Sequence, residues 1–242
     1  MRLALISDIH ANLEALQAVL DDIARQKADK ICCLGDVIGY GCDPTECLRL
    51  VNENCTIKLM GNHEYAAMGL MPVTYLNDIA QESLKWTQHH INDREMAIIS
   101  DFEMDTVLDD LYLVHASPFE PDKWHYIMRL AEAQAAFDSF EMKIGLFGHT
   151  HIPVIYSLSP ENRLRQTAGH DFLPDADNRY LINIGSVGQP RDNDPRACYA
   201  VFDTDEWSVN YYRTPYNINL TQEKMTRAQI PPMLIERLST GR

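Results

Sequence analysis

From Leu3 to Ser7 the chain is uninterruptedly apolar or small and stops at Asp8, after which Leu13, Leu16, Val19, Leu20 and Ile23 recur at helical spacing through Arg25. The first pattern predicts a buried strand and the second an amphipathic helix. Lys30 to Leu34 repeats the strand pattern and ends at Gly35-Asp36; Pro44 then opens a helix reaching about Val51. Thr56 to Met60 predicts a third strand, ending at Gly61-Asn62. Each of the three strands therefore runs into a polar cluster: Asp8 with His10, then Asp36, then Asn62 with His63. In alternating α/β sheets, ligands bind at that strand edge because the following loops converge there.

From Tyr65 to about Ser100 the pattern is helical, with Ile79, Leu84, Trp86 and Ile91 on a broken apolar face. Residues 64–100 are expected to form a helical insert, either a lid or a flanking layer. Strands return at Asp105 to Val107 and Leu111 to His115, as a hairpin across Asp109-Asp110 that lacks the Gly a tight turn prefers. A helix over Arg129 to Phe140, a strand over Ile144 to Phe147, and a mostly β last third follow. Segment 159–179, rich in Pro, Asn, Asp and Gly, is expected to be a long loop, and 215–242 a peripheral tail of short helices. With no repeat or linker, 1–242 is read as one domain of α/β (α+β) class, two mixed sheets face to face with helices outside.

Composition narrows the chemistry. With 242 residues the chain needs no metal staple to fold, so a metal here would be functional. A formal charge of −14 disfavours a stable nucleic-acid complex, although bound divalent cations can reverse the sign locally for a phosphate substrate. No apolar run is long enough to span a membrane, and Asp8 interrupts any signal-peptide core, so a cytoplasmic protein is expected. The six cysteines include no C-x-x-C pair; Cys32 and Cys33, in an apolar strand-like run, read as small buried hydrophobes, and a zinc site from Cys42 and Cys47 has no second pair to complete it.

Five of the nine histidines fall in polar clusters just after predicted strands: His10, His63, His115, His149 and His151, together with Asp8, Asp36 and Asn62. Imidazole nitrogens with carboxylate and amide oxygens, and no thiolate, suit manganese, iron, zinc, nickel or cobalt, with manganese favoured. Two ligand shells can be filled from this set, with Asp36 as the natural bridge. Two divalent ions against two carboxylates leave a charge of about +2, which attracts an anionic phosphate.

The ordered blocks Asp8-Ile9-His10, Gly35-Asp36, Gly61-Asn62-His63-Glu64, His115 in V-H-A-S-P, and Gly148-His149-Thr150-His151 resemble the calcineurin-like metallophosphoesterases. G-D-V-I-G-Y-G at 35–41 and N-I-G-S-V-G-Q-P-R at 183–191 are similar to additional blocks of the small prokaryotic phosphodiesterase-like branch. The resemblance implies a four-layer αββα sandwich and a dinuclear phosphoesterase acting by metal-activated hydroxide; the small size and short insertions of the chain favour a small soluble phosphodiester or nucleotide over a folded protein as substrate. The resemblance also implies that Asp8, His10 and His151 hold one ion, Asn62, His115 and His149 the other, and that Asp36 bridges. His63 would stand above the pair as general acid or charge stabiliser, with Glu64 as its partner. Where many members have a second Asp, this chain has Gly39; where many have N-P-G-S, it has Ile184 for the Pro.

Other readings stay open on the sequence. The same metal centre serves phosphomonoesterases and protein Ser/Thr phosphatases, and some relatives are non-catalytic scaffolds, although these typically lose the histidine that is His63 here. Backbone near Ser186 either makes a turn or lines the phosphate site; Arg191 either orients phosphate or pairs with Asp192 or Asp194; Trp124 and Tyr126 either pack in the core or overhang the metals. The sequence sets no oligomeric state, the lid and tail being the candidate patch for a homo-oligomer.

Overall fold

Alternate residues of a strand face opposite ways, and the first strand thereby joins two cores. In the computed structural model, which describes residues 1–242, β1 (Arg2–Ile6) turns Ala4 and Ile6 toward α1 (Leu13–Gln26) and α2 (Pro44–Asn54). Its Leu3 and Leu5 face the other way, into a core shared with the second sheet. Leu16, Val19 and Ile23 of α1 and Leu48 and Val51 of α2 meet the first face, at the helical spacing the sequence shows. Asn12 caps α1, its side chain accepting the Ala15 N–H at 3.2 Å.

The first sheet has the order β11-β10-β1-β2-β3, with β2 Lys30–Cys33, β3 Ile57–Lys58, β10 Ala197–Asp203 and β11 Ser208–Thr214. The second has the order β4-β5-β6-β9-β7-β8, with β4 Asp105–Leu108, β5 Leu111–Val114, β6 Ile144–Phe147, β7 Val154–Leu158, β8 Leu164–Ala168 and β9 Arg179–Asn183. Both sheets are mixed. In the first, β1, β2 and β3 are parallel and β10 runs against β1; in the second, β5, β6 and β9 are parallel. Leu111, Leu113, Ile144 and Leu146 meet Leu3 and Leu5 between the sheets, while Val114, Phe147 and Tyr156 face outward onto α6 (Leu130–Phe137). The result is the expected αββα sandwich. Because β1, β2 and β3, like β5 and β6, are parallel, their following loops gather at one edge.

Two local expectations are corrected. Segment 159–179 contains β8, an edge strand that pairs only with β7 and is largely exposed, so its sequence carries no apolar alternation to mark it. The third strand is two residues long rather than five: Leu59 still donates its N–H to the Cys33 carbonyl at 2.8 Å but also bridges to Glu103, and Met60 turns away from β2, its N–H donating to the Glu103 carbonyl at 2.7 Å.

The helical stretch comprises α3 (Asn62–Ala67), a 3-10 turn at Val73–Tyr75, α4 (Asp78–His90) and α5 (Asp93–Ser100). Leu84 of α4 and Ile99 of α5 join the core of α1 and α2, making these two helices a flanking layer and leaving the segment around Val73–Tyr75 beside the strand-end loops. The tail forms α7 (Ile218–Arg227), α8 (Pro232–Glu236) and a 3-10 turn at Arg237–Ser239; Met225, Leu234 and Leu238 pack with Tyr40 and Ala80. No helix is long and apolar enough to cross a membrane.

Candidate metal centre and the cavity beside it

The loop after β1 brings Asp8 and His10, that after β2 Asp36, that after β5 His115, and that after β6 His149 and His151, while the first turn of α3, beyond β3, brings Asn62 and His63. All eight side chains are buried. Five of these residues, Asp8, His10, Asp36, His149 and His151, have positive φ between 50° and 62°. Each such conformation costs a non-glycine residue about 1 to 2 kcal/mol. Concentrated at one site, that strain aims side chains across the strand ends instead of along them. Gly61 permits a close approach of two of these loops: a Cβ there would lie 2.1 Å from Asp36 Oδ1.

The donor atoms converge in three overlapping groups: Asp8 with His10 and His151, His10 with Asp36 and His63, and Asp36 with His115 and His149. Asp8 Oδ1 lies 3.3 Å from His151 Nε2 and 3.9 Å from His10 Nε2, and the two imidazole nitrogens are 3.1 Å apart. Asp36 Oδ2 lies 3.7 Å from His10 Nε2 and 3.3 Å from His115 Nε2, and so stands between the groups. Asp36, His115 and His149 offer donor atoms that all lie within 4.8 Å of one another.

The other ring nitrogens fix the tautomers. His10 Nδ1–H donates to the Ile38 carbonyl at 3.1 Å, His151 Nδ1–H to Gln189 at 2.6 Å, and His115 Nδ1–H to Leu34 at 2.8 Å. A neutral ring held in this way turns the Nε2 lone pair inward. His10 and His151 are held below the usual imidazole range, burial being the main cause and the repulsion of His151 and Arg191 respectively adding to it. Two lone pairs 3.1 Å apart require a cation between or beside them. Asn62 Oδ1, His115 Nε2 and His149 Nε2 are likewise buried without a hydrogen-bond partner, an arrangement that is costly unless something else satisfies them. The residues therefore fit divalent ions, on the chemistry of the donors and on their orphaned atoms.

The carboxylates are prepared for the same task. Burial pushes Asp36 upward, but the charges of His115 and His63 outweigh it and hold the carboxyl well below the usual range. His115 is the reciprocal case, burial lowering it and Asp36 and Asp8 overruling burial to push it up to about 9. His149, without such a close carboxylate, falls to about 3 through burial and the neighbouring His115.

Three sequence expectations are corrected by geometry. Glu64 does not partner His63. Its carboxylate accepts N–H bonds from Asp36 at 2.9 Å, Ile38 at 3.0 Å and Gly61 at 2.9 Å, tying the loops after β2 and β3 together. Burial and the Asp36 charge push this carboxyl up to about 7, against the N–H donors. Ser186 does not face the site: its hydroxyl donates to the Asp8 carbonyl and accepts the Gln189 N–H, both at 2.8 Å, while the Val187 N–H is taken by Ser7. Arg191 does not pair with Asp192 or Asp194, which bind Arg213 and Arg196; its guanidinium lies 5.9 Å from the centre of the Tyr40 ring.

His63 stands against His10 and Tyr40, with ring centres 5.0 and 4.6 Å away, and its backbone N–H donates to Asp36 Oδ1 at 3.0 Å. Where many relatives have Asp, Gly39 leaves no room for one: a Cβ would fall 2.1 Å from His63 Nδ1, which is buried without a partner. Tyr40, absent from the candidates read in the sequence, also touches His10 at 4.5 Å. Its signal lay in the G-D-V-I-G-Y-G block.

Trp124 and Tyr126 do come to the site. They line a cavity of about 870 Å³ with Tyr40, Tyr65, Tyr75 and Met71, and Asn62 and His149 share its wall. Tyr126 lies 4.2 Å from the His149 ring, and Trp124 meets Tyr65 edge-on at 5.2 Å. Glu120, Asp122 and Lys123 also border the cavity, and Lys123 is engaged by Asp122 at 3.0 Å.

Comparison with known proteins agrees with this geometry. Residues 1–207 match the model of the calcineurin-like phosphoesterase superfamily domain. The chain is 36% identical to MJ0912 of Methanocaldococcus jannaschii, described as an uncharacterized protein, over 99% of this chain and 98% of that one. The crystal structure of a metallophosphoesterase from Sphaerobacter thermophilus is 36% identical and superposes with a TM-score of 0.87 over 100% of both chains. That of the hypothetical protein PH1004 from Pyrococcus horikoshii OT3, 17% identical, shares the fold with a TM-score of 0.79 over 100% of this chain and 98% of that one.

Proposed function

Because the chain belongs to the calcineurin-like phosphoesterase superfamily, and is on that ground a phosphoesterase hydrolase, we propose that it uses two divalent ions, manganese favoured, to hydrolyse a small phosphodiester or a nucleotide in the cytoplasm. The observation that carries the reading is the set of inward, unpartnered donors: Asn62 Oδ1, His115 Nε2 and His149 Nε2 on one side, His10 Nε2 facing His151 Nε2 on the other. Asp8, His10 and His151 would hold one ion, Asn62, His115 and His149 the second, and Asp36 both. Bound there, such ions supply Lewis acidity and bring water within reach of ionisation near neutral pH.

The chain's own residues do the rest. Carbonyls of Ile38, Leu34 and Gln189 keep three imidazoles in the ligating tautomer. His63 presents a ring N–H toward a phosphoryl or leaving oxygen; burial lowers its pKa, and a bound anionic ester restores affinity for the proton. The aromatic cavity supports a nucleoside or aryl group on one side of the phosphoryl centre, stacking on Trp124 or Tyr126. Six free cysteines, five of them buried, suit a reducing compartment.

The test is elemental analysis of freshly purified protein, paired with rates on bis-p-nitrophenyl phosphate and p-nitrophenyl phosphate with added manganese. About two equivalents of metal and faster diester cleavage are expected. No stoichiometric metal after reloading and no hydrolysis of either ester would overturn the proposal.

A further inference from the structure

One side chain in the wall of the cavity has a need that a metal ion cannot meet. Trp124 is only 8% exposed, and its indole nitrogen is buried with no acceptor in the protein. The unpartnered atoms beside it in the centre, Asn62 Oδ1, His115 Nε2 and His149 Nε2, carry lone pairs, which a cation satisfies. An indole Nε1–H only donates, so it calls for an oxygen or nitrogen that brings a lone pair. A buried N–H that has lost its water and gained no acceptor is unfavourable. The other tryptophans are not in this position: Trp86 Nε1–H donates to the Ala228 carbonyl at 3.0 Å, and Trp207 is half-buried at the turn between β10 and β11.

The Trp124 ring stands edge-on to Tyr65, with centres 5.2 Å apart, and 6.0 Å from the centre of the His115 ring. It therefore lies where the cavity meets the metal centre, in a wall that it shares with Asn62 and His149. An aromatic face such as that of Tyr65 accepts an N–H only weakly. The backbone holds the side chain here under strain. Glu120 and Trp124 bracket the 3-10 turn Pro121–Lys123, and both have left-handed φ, 47° and 57°. For a residue as bulky as tryptophan that conformation is unusual, and such strain gathers at ligand clamps.

We propose that Trp124 binds substrate through its indole N–H, which donates to a non-bridging oxygen of the phosphoryl group held at the metal centre. The inference rests on the phosphoesterase reading and deepens it. An ester that lies in the cavity with its phosphoryl group at His115 and His149 brings charged oxygens to the end where Trp124 stands, and a hydrogen bond to a charged oxygen is of the stronger kind. Lys123, next in sequence, does not take this role, because Asp122 holds it at 3.0 Å. The assignment also divides the work within the cavity. A ring wedged between Tyr65 and His115 has little face to offer, so stacking of the organic group falls to Tyr126, which is 50% exposed.

Two measurements test this. In isotope-labelled protein, NMR resolves one indole N–H resonance for each of the three tryptophans, and loading with zinc keeps the sample diamagnetic. Inorganic phosphate should move the Trp124 resonance downfield, the direction of a new hydrogen bond, and leave the other two in place. Trp124→Phe identifies that resonance by its loss; if the variant does not fold, Trp86→Phe and Trp207→Phe identify it by elimination. On manganese-loaded protein, Trp124→Phe should keep its metal content and lower kcat/KM for bis-p-nitrophenyl phosphate about tenfold, mainly through KM, since the oxygen is charged before reaction as well as during it. A Trp124 resonance unmoved by phosphate, in protein that takes up metal and cleaves the diester, would overturn this inference alone, as would an undiminished kcat/KM in folded Trp124→Phe. Protein that takes up no metal and cleaves neither this ester nor p-nitrophenyl phosphate would overturn the phosphoesterase reading, and this inference with it.

Discussion

In the half of the centre made by Asp8, His10 and His151, both imidazoles are tied to backbone carbonyls and face each other at 3.1 Å. In the half made by Asn62, His115 and His149, only His115 has such a tie; the His149 ring rests against Tyr126, and all three donor atoms are buried without a partner. Asn62 and His149 also line the cavity, whereas His10 and His151 do not. The same side-chain types thus make one half with preset donors, away from the cavity, and one that borders open space and would depend more on the ion proposed for it. Donors fixed in advance lose less freedom on binding, so the first half should hold its ion more tightly.

The largest effect should come from the residue common to both halves. Asp36→Ala removes the carboxylate that lies 3.7 Å from His10 and 3.3 Å from His115, and with it the cap on the His63 N–H. Metal content should drop at both positions and hydrolysis by roughly 10³-fold or more, comparable with loss of a whole stabilising element. Retention of one full equivalent would mean that the halves are independent and Asp36 no bridge. His63→Ala, by contrast, should keep both ions and lower kcat by about 10² to 10⁴. An undiminished rate in that variant would remove His63 from the chemistry.

The unequal halves separate at the next scale. Under a competing chelator, the ion held by Asn62, His115 and His149 should leave first, and Tyr126→Ala should weaken it further by about tenfold, the size of effect expected from a residue that orients a ligand. Removal of both ions in one step, with the same midpoint in Tyr126→Ala, would erase the difference between the halves.

Much of this centre could be read in the sequence, for a physical reason. Parallel strands deliver their following residues to one edge, so ordered polar clusters after apolar runs are enough to bring Asp8, Asp36, Asn62, His115 and His149 together. What could not be read depended on where side chains point. Glu64 directly follows His63, yet in the first turn of α3 its carboxylate turns back to three backbone N–H groups. Ser186 lies in a Gly-rich loop of the kind that lines phosphates, but its N–H neighbours are spent on Ser7 and Asp8. The left-handed backbone at five of the eight clustered positions has no signature in side-chain type.

The smallest effect discriminates most finely between the halves, because it counts protons. In the metal-free protein His10 and His151 are already neutral at physiological pH, burial holding both low, so the first half should take its ion with no proton released. His115 is held at about 9 by Asp36 and Asp8 against the effect of burial, and it must lose a proton before its Nε2 can ligate. Calorimetry at pH 8, above the value of about 7 for Glu64 and below that of His115, in buffers of different ionisation enthalpy, should therefore find close to one proton released for the second ion and none for the first. The same groups shape the stability of the metal-free chain. His115 binds its proton more tightly folded than unfolded, so its contribution is complete below about 6.5 and disappears as the pH rises through 9. His149 is depressed to about 3, so the unfolded chain takes up the proton first and stability falls as the pH drops from 6.5 toward 3. Equal proton release by the two ions would show that His115 is not held charged by Asp36, and the electrostatic distinction between the halves would fail even if their affinities differed.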